Sequence, residues 1–222
     1  HSYLKRSGYR VVFSGSGKLS WEGLDGIISH DMDYFFRSEF DENYSINDDM
    51  VILSSLRRLP TYDGNPTFLY LHYMSSHESG RHFSQYKKFR PAEKNLLTCI
   101  FPEMDDQQSV INAYDNHILQ FDDMARQSVQ ILQDKGYMEN SILVIYGDHG
   151  EALNEHGYFG HYKNLYQEEI HVPIIFSYSK GRFLKNTRLA TLHDILPTVM
   201  DLAGLDIPEQ IEGISLMDEP VP

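Results

Sequence analysis

The stretch of sequence that decides the fold covers residues 141–161 and reads SILVIYGDHGEALNEHGYFGH. It opens with an apolar run from Ser141 to Gly147, and such a nearly continuous run is typical of a strand buried in a parallel sheet. Asp148 and His149 follow this strand directly. Because ligands of open α/β sheets collect at the carboxyl ends of the strands, we expect these two side chains to point at one bound cation.

The residue types at this strand end favour particular metals. A carboxylate oxygen beside an imidazole nitrogen suits zinc or manganese better than calcium, so Asp148 and His149 are predicted to bind one of these two metals, with calcium and magnesium as alternatives. His156 and His161 follow in a polar, glycine-rich loop, where histidines have little reason to be kept for packing. The competing interpretation is that the segment is an ordinary turn and that the eleven histidines are scattered by chance.

A second polar cluster covers residues 71–82, which read LHYMSSHESGRH and also begin at the end of a predicted strand. His77 lies beyond that strand and is the better candidate for a site, whereas His72 falls within the strand alternation and fits a core histidine equally well. Arg81 and His82 either bind an oxyanion or are simply solvated. The polar stretch from 75 to 103 has a length that is uncommon unless a loop is functional or disordered.

The rest of the chain alternates strands with helices, and its first residues read like a helix end that enters a strand. Further strands are predicted at Tyr9–Ser14, Thr67–Met74 and Val172–Phe176. Helices are predicted from Asn47 or Asp48 to Leu59, from Asp105 or Asp106 to Lys135, and from His193 to Leu202. The longest of them is predicted to bury Val110, Tyr114, Ile118, Phe121, Ala125, Val129 and Leu132. This alternation predicts an α/β fold with a mainly parallel central sheet flanked by helices.

The amino-acid composition limits the classes of function that the chain can have. The 222 residues, 41% of them hydrophobic, suffice for one sizeable domain with a core. With 19 basic and 32 acidic side chains the net charge is −13, which disfavours nonspecific binding to nucleic acid or to anionic membranes but allows an anionic substrate once a cation is bound. Cys99 is the only cysteine, which excludes an intrachain disulfide and a cysteine zinc site. No apolar run reaches the roughly 18 residues that a transmembrane helix needs.

Several motifs together resemble the sulfatase-like branch of the alkaline phosphatase superfamily, which includes sulfatases, phosphoglycerol transferases and phosphoethanolamine transferases. The motifs are Gly147–Glu151, His156-Gly157, Gly160-His161, Leu165–Glu169, Val172–Ile175, Tyr114–Ile118 with Asp122, His193–Thr198, Leu202–Gly204, Gly213–Leu216 and Phe68–His77. They span roughly residues 66 to 217, and the combination is specific although each motif alone is weak. The resemblance implies an alkaline-phosphatase-like fold that is incomplete at its N-terminus.

The resemblance also implies roles for single residues. Asp148 and His149 correspond to two ligands of the catalytic metal. His161 corresponds to the histidine that holds a substrate oxygen or a second metal, and His77 to the one that contacts the substrate head group or the departing group, so both are predicted catalytic and substrate-binding residues. His82 and Arg81 are predicted secondary substrate contacts, and His156 has no firm counterpart.

Departures from the family pattern bear on activity. The family places a threonine, serine or formylglycine nucleophile and an acidic metal ligand in the first half of the domain, and neither is recognisable here; Cys99 does not match. Residues 1–222 are therefore expected to be the C-terminal portion of a single catalytic domain without an internal boundary, inactive alone and marginally stable or paired with a second copy. The alternative is a metal-binding domain without catalysis.

For the full-length protein the resemblance implies a metal-dependent enzyme that acts on an anionic sulfate or phosphate ester through a covalent intermediate. Sulfatase and phosphotransferase both stay open. The transferase alternative further implies an N-terminal membrane anchor outside this sequence and an extracytoplasmic catalytic domain, on the periplasmic side of the inner membrane or at the cell surface.

Overall fold

The computed structural model describes residues 1–20, 23–92, 107–161, 164–178, 182–183 and 189–217. The chain divides into two compact units. Unit 1 comprises His1–Tyr137 and Leu153–Phe159, and unit 2 comprises Met138–Ala152 and Gly160–Pro222. The expectation of one domain without an internal boundary stays a prediction, because two compact units can belong to a single domain.

Unit 1 is built on a parallel sheet. Its strands are β1 (Arg10–Gly15), β2 (Tyr34–Arg37) and β3 (Thr67–His72), and its helices are α1 (Ser2–Arg6), α2 (Leu24–Ile28), α3 (Met50–Arg58) and α4 (Gln107–Asp134). The strand order is β2-β1-β3, and β1 pairs in parallel with both neighbours. Parallel strands flanked by helices confirm the predicted α/β class.

The core of unit 1 lies between β1 and α3. Val11, Val12 and Phe13 on β1 have no exposed surface, as expected for β-branched and aromatic residues on a central strand. α3 packs against this strand, with Ser14 Oγ 2.6 Å from Ser55 Oγ, and its own apolar side chains are equally buried, namely Val51, Ile52, Leu53 and Leu56. The strand predicted at Thr67–Met74 exists as β3 but is only half-buried, because β3 is the edge of this sheet and not its centre.

The long helix α4 was predicted with nearly correct ends, although residues 105 and 106 lie outside the described part of the chain. Gly136 ends it, as predicted, in a left-handed conformation with φ 83°. The predicted buried face is wrong in part, since Ile118 is 39% exposed and, among the residues predicted for that face, only Val110 and Leu132 are buried. The buried face is shifted towards Asn112, Asn116 and Gln120, which recur at intervals of four residues.

These three polar side chains, here called the amide ladder, bind the backbone of residues 81–91. Asn112 Nδ2 donates to Pro91 O at 2.9 Å. Asn116 Oδ1 accepts from the backbone N–H groups of Lys88 at 2.8 Å and Phe89 at 2.9 Å. Gln120 Nε2 donates to Arg81 O at 2.7 Å, while its Oε1 accepts from Phe83 N at 2.8 Å. Buried backbone groups need partners, so a polar helix face is what an irregular segment packed on α4 requires.

Unit 2 contains the strand that directly precedes Asp148 and His149. In chain order the remaining strands are β4 (Ile142–Tyr146), β5 (Ala152–Leu153), β6 (Phe159–Gly160), β7 (Ile174–Tyr178) and β8 (Arg182–Phe183), and the remaining helices are α5 (Gln167–Ile170) and α6 (Ile195–Leu202). Of these residues, Leu153 of β5 and Phe159 of β6 are counted with unit 1. β5 pairs with β6, and a separate sheet has the order β4-β7-β8. Both pairings in that sheet are antiparallel, so the parallel neighbour expected for β4 is wrong. The predicted burial of this strand is wrong as well, because four residues of β4 are only half-buried and Tyr146 is exposed.

The end of the chain is attached to α6 through buried hydrogen bonds. Thr198 Oγ1 donates to Asp194 O at 2.6 Å and accepts from Leu216 N at 2.9 Å, and Asp194 Oδ1 accepts from Ile214 N at 2.9 Å. A Cβ at Gly213 would lie 2.4 Å from His193 O, so only glycine allows this approach. The predicted C-terminal helix and tail therefore form one packed element. In the described parts of both units, no helix has the length and apolarity to cross a membrane.

Candidate metal centre and histidine loop

The candidate metal centre lies in unit 2, directly after β4. The carboxylate of Asp148 and Nε2 of His149 are 3.9 Å apart. His149 Nδ1 is 2.9 Å from Gly150 O, and a carbonyl oxygen only accepts hydrogen bonds. We therefore assign the proton of the neutral ring to Nδ1, which leaves the lone pair on Nε2, the nitrogen nearer to Asp148.

Gly150 holds this turn against α5. Its backbone N–H donates to Glu169 O at 2.7 Å, and a Cβ in its place would lie 2.1 Å from Glu168 O. Glycine is thus required at position 150 by a close approach of two backbone segments. Because Gly150 O is also the partner of His149, this approach fixes the position of the His149 ring.

His161 stands beside the pair. Its ring centroid is 4.2 Å from that of His149, and its Nδ1 lies 3.0 and 3.2 Å from the two carboxylate oxygens of Glu151. Both side chains of the His161–Glu151 pair are only 12% exposed. The carboxylate orients the imidazole through Nδ1, so His161 presents Nε2 as a lone pair in the neutral ring and as a donor in the imidazolium.

The donor set fits a divalent metal. Ligand distances in zinc sites are about 2.0–2.1 Å, so an ion between Asp148 and His149 reaches both atoms of a pair 3.9 Å apart. The Asp148 side chain is 81% exposed, which leaves its oxygens accessible to an ion. Within the described ranges, no group of three or more histidine, cysteine or acidic side chains is placed to hold a metal ion. Metal binding by Asp148 and His149 therefore stays a prediction.

The second predicted cluster forms a compact segment of unit 1, residues 74–83, here called the histidine loop. His77 N donates to Met74 O at 3.1 Å, and Gly80 N donates to His77 O at 2.9 Å. A Cβ at Gly80 would lie 2.0 Å from Met74 O, so the loop closes only with glycine there. His77 sits at the turn between these two contacts.

Other predicted contacts hold this loop. Arg81 forms an ion pair with Asp48, whose side chain is fully buried. His82 Nε2 is 3.2 Å from Ser75 O, and His72 Nδ1 is 2.8 Å from Ser16 O, the satisfied state considered for His72 above. The structure thus engages Arg81 and His82 within the protein, and their role as substrate contacts stays a prediction. His156 is exposed in the part of unit 1 that covers Leu153–Phe159.

Sequence reasoning missed Asp49. It is 1% exposed, and its carboxylate accepts hydrogen bonds from Ser16 Oγ, from Met74 N at 2.8 Å and from Ser75 N at 2.7 Å. Burial raises the pKa of the Asp49 carboxyl, although the hydrogen bonds that it accepts act to lower this pKa. Asp49 thereby ties the ends of β1 and β3 to the start of α3. In the sequence, residues 47–49 read Asn-Asp-Asp before an apolar run, which indicates only a helix N-terminus.

His82 of the histidine loop stacks on His117 of α4. The rings of His82 and His117 lie 3.4 Å apart between centroids and are 6° from parallel. His117 is 7% exposed, and its Nδ1 has no hydrogen-bond partner among the described residues. Burial lowers the pKa of His117 to about 3, and burial also lowers the pKa of His82. Both rings are therefore neutral in the folded protein at neutral pH.

We expect acid to destabilise the protein through this pair. The unfolded chain takes up protons on both imidazoles below the ordinary pKa of 6.5, whereas folded His117 resists protonation down to about 3. The pair therefore contributes its full stabilisation above pH 6.5. Between pH 6.5 and about 3 the free energy of unfolding falls as the pH decreases, by up to about 1.4 kcal/mol per pH unit for each proton. Urea unfolding followed by circular dichroism across the window measures the slope.

The control for this prediction is a pair of histidine replacements. His117→Gln removes one buried ring and is expected to reduce the slope by about one proton. His30→Gln removes an exposed ring and is expected to leave it unchanged. An unaltered slope in His117→Gln would show that the pair does not control acid stability.

The parallel sheet with flanking helices in unit 1, and the Asp-His pair at the end of β4 in unit 2, are features of an α/β protein of the alkaline phosphatase type. The chain belongs to the sulfatase family, whose model, described as Sulfatase, matches residues 1–205.

Individual proteins agree with this assignment. The chain is 32% identical to an arylsulfatase of Clostridium perfringens over 113 residues, 48% of this chain and 23% of that protein. It is 34% identical to the phosphatidylethanolamine transferase Mcr-1 of Escherichia coli over 151 residues, 63% of this chain and 27% of that protein. The matched part is therefore about a quarter of the length of these relatives.

A solved structure supports the fold. The C-terminal periplasmic domain of EcEptC from Escherichia coli, determined in complex with Zn, superposes with a TM-score of 0.75 over 99% of this chain and 66% of that one. Sequence identity in this comparison is 16%, so the likeness concerns the fold. The alkaline-phosphatase-like fold implied by the sequence motifs is confirmed.

Proposed function

We propose that this chain belongs to a metal-dependent enzyme that hydrolyses or transfers sulfate or phosphate esters through a covalent intermediate. The observation that carries the proposal is the pairing of Asp148 with a His149 ring whose Nδ1 is bound to Gly150 O, which leaves on Nε2 the lone pair that a cation needs. Membership of the sulfatase family supports the substrate class, because both ester types have anionic, tetrahedral centres.

Each residue has a defined task in this proposal. Asp148 and His149 Nε2 would hold zinc or manganese, which supplies the positive charge that stabilises a transferred anionic group and lowers the pKa of a hydroxyl nucleophile. His161, oriented by Glu151, contacts a non-bridging or leaving-group oxygen through Nε2. His77 is proposed to contact the substrate head group or the departing group. The nucleophile is proposed to lie outside the 222 residues.

Transfer of a phosphoethanolamine group is the second candidate. It is favoured by the 34% identity to the phosphatidylethanolamine transferase Mcr-1. EcEptC, which shares the fold, is a periplasmic domain determined in complex with Zn. On this reading the full-length protein is extracytoplasmic and anchored by a segment outside the present sequence. A domain that binds metal without catalysis is the alternative for the isolated chain.

Parallel assays separate these functions. The 222-residue chain and any longer natural form are assayed on p-nitrophenyl sulfate and on a p-nitrophenyl phosphate diester, with and without added zinc or manganese. We expect turnover only in a form that supplies a nucleophile, and the preferred ester distinguishes sulfatase from phosphotransferase. Turnover by the 222 residues alone would refute the external nucleophile, and zinc binding without turnover in any form would favour the non-catalytic alternative.

A further inference from the structure

The side-chain amide of Asn47 has its orientation fixed by the histidine loop. Its Nδ2 lies 2.8 Å from Ser79 O, a carbonyl that only accepts, so the NH₂ group must face the loop. The same Nδ2 lies 3.2 Å from Ser79 Oγ. Because an amide NH₂ only donates, the Ser79 hydroxyl accepts from Asn47 and its own proton is directed elsewhere.

That proton is directed to His77. Ser79 Oγ is 2.8 Å from His77 Nδ1, and the backbone N–H of Ser79 donates to the same nitrogen at 3.0 Å. A backbone N–H has no acceptor function, so His77 Nδ1 must carry a lone pair. The proton of the neutral His77 ring is then on Nε2.

This arrangement is the reverse of the one at His149. There the backbone supplies an acceptor, Gly150 O, and the lone pair is on Nε2. At His77 the backbone supplies a donor, and Nε2 carries hydrogen. A cation needs the lone pair of a ring nitrogen, whereas the oxygen of an ester or its leaving group needs a donor.

We propose that Asn47 and Ser79 are positioning residues that fix His77 as an Nε2–H hydrogen-bond donor to an oxygen of the substrate, and that His77 is not a metal ligand. The inference rests on the proposed function, because it assigns His77 to an anionic sulfate or phosphate ester. Binding a metal through Nε2 would require the proton to move to Nδ1, where it would face two donors. The backbone contact of Arg81 N with Asn47 O, at 2.9 Å, keeps the three residues in register.

The tautomer can be measured without any ligand. Long-range ¹H–¹⁵N correlation spectra of the 222-residue chain with ¹⁵N-labelled histidine distinguish protonated from unprotonated ring nitrogens, at about pH 8, well above the ordinary histidine pKa of about 6.5. We expect Nε2 of His77 to be protonated and Nδ1 of His149 to be protonated. A proton on Nδ1 of His77 would overturn the proposal.

Variants test the two positioning residues. Ser79→Pro removes both donors and is expected to abolish the single-tautomer signature of His77. Ser79→Ala removes the hydroxyl donor, and Asn47→Asp replaces the amide donor by an acceptor that draws the hydroxyl proton away from His77. In each variant the loss of one ordinary hydrogen bond to His77 is expected to raise the minor tautomer about fivefold. If the proline variant does not fold, Ser79→Ala and Asn47→Asp still test the proposal. Ser84→Ala, at an exposed serine, is the control and leaves His77 unchanged. A fixed tautomer in Ser79→Ala and Asn47→Asp would refute the positioning role.

Two titrations distinguish the tasks of the two histidines. Added zinc is expected to shift the ring nitrogens of His149 and to leave His77 Nε2 protonated; loss of that proton would overturn the proposal. Added sulfate, used as an oxyanion probe, is expected to shift the Nε2–H signal of His77 in the wild-type chain and less in Ser79→Pro, and no shift in either would refute the donor role. A His149 signal unmoved by zinc would contradict the proposed metal ligands, while the metal-free spectrum still decides the tautomer of His77.

Discussion

Zinc affinity is expected to fall by at least about 100-fold when Asp148 is replaced by asparagine, because losing only an outer hydrogen-bond partner of a metal ligand already costs about 10- to 100-fold. The substitution keeps the size of the side chain but removes the anionic oxygen that lies 3.9 Å from His149 Nε2. The exposed side chain of Asp148 has little packing to lose, so the fold is expected to be unaffected. Isothermal titration of the metal-free chain with zinc measures the effect.

Two comparisons make this measurement specific. Asp122→Asn makes the same chemical change at an exposed position of α4 and is expected to leave zinc affinity unaltered. Circular dichroism of both variants verifies that they are folded. Equal zinc affinity of Asp148→Asn and the wild type would mean that the carboxylate at the end of β4 is not a ligand, and the proposed metal centre would be wrong.

The parts of the fold that the sequence predicts are those with a strong local signal. The apolar runs of β1, β4 and β7 and the periodicity of α3 and α4 locate these elements within a few residues. β2 escaped prediction because Tyr34–Arg37 is four residues long and is bordered by polar sequence, and the five residues of α2 present no recognisable apolar face. The antiparallel pairing of β4 with β7 escaped because composition carries no information about strand direction.

In the candidate site, too, only the features encoded by neighbouring residues could be predicted from the sequence. Asp148 and His149 are neighbours in the sequence at a strand end, so their proximity is a local property that sequence alone can predict. The pairing of Glu151 with His161 spans ten residues and depends on how the intervening loop folds. Its only local signal is an acid and a histidine at the two ends of a glycine-rich segment.

Buried polar residues were the least predictable. Asn112, Asn116 and Gln120 have the spacing of a helix face, yet polarity normally assigns such a face to solvent. Their partners are backbone groups of residues 81–91, and the need for them appears only when that segment packs on α4. The same holds for Asp49, which resembles a helix cap in the sequence and instead joins two strand ends.

Replacing Asp49 with alanine is expected to lower the free energy of unfolding by about 3–5 kcal/mol, because the buried donors Ser16 Oγ, Met74 N and Ser75 N would lose their acceptor and each unsatisfied donor costs about 1–3 kcal/mol. Such a loss is a large part of the roughly 5–15 kcal/mol that stabilises a typical domain. Urea unfolding at neutral pH, followed by circular dichroism, measures it. Asp115→Ala, an exposed change on α4, is the control and is expected to stay within about 0.5 kcal/mol of the wild type. Asp49→Asn retains an acceptor oxygen and is expected to fall between the two. A stability of Asp49→Ala equal to that of the control would mean that water replaces the carboxylate, and that the ends of β1 and β3 do not depend on this residue.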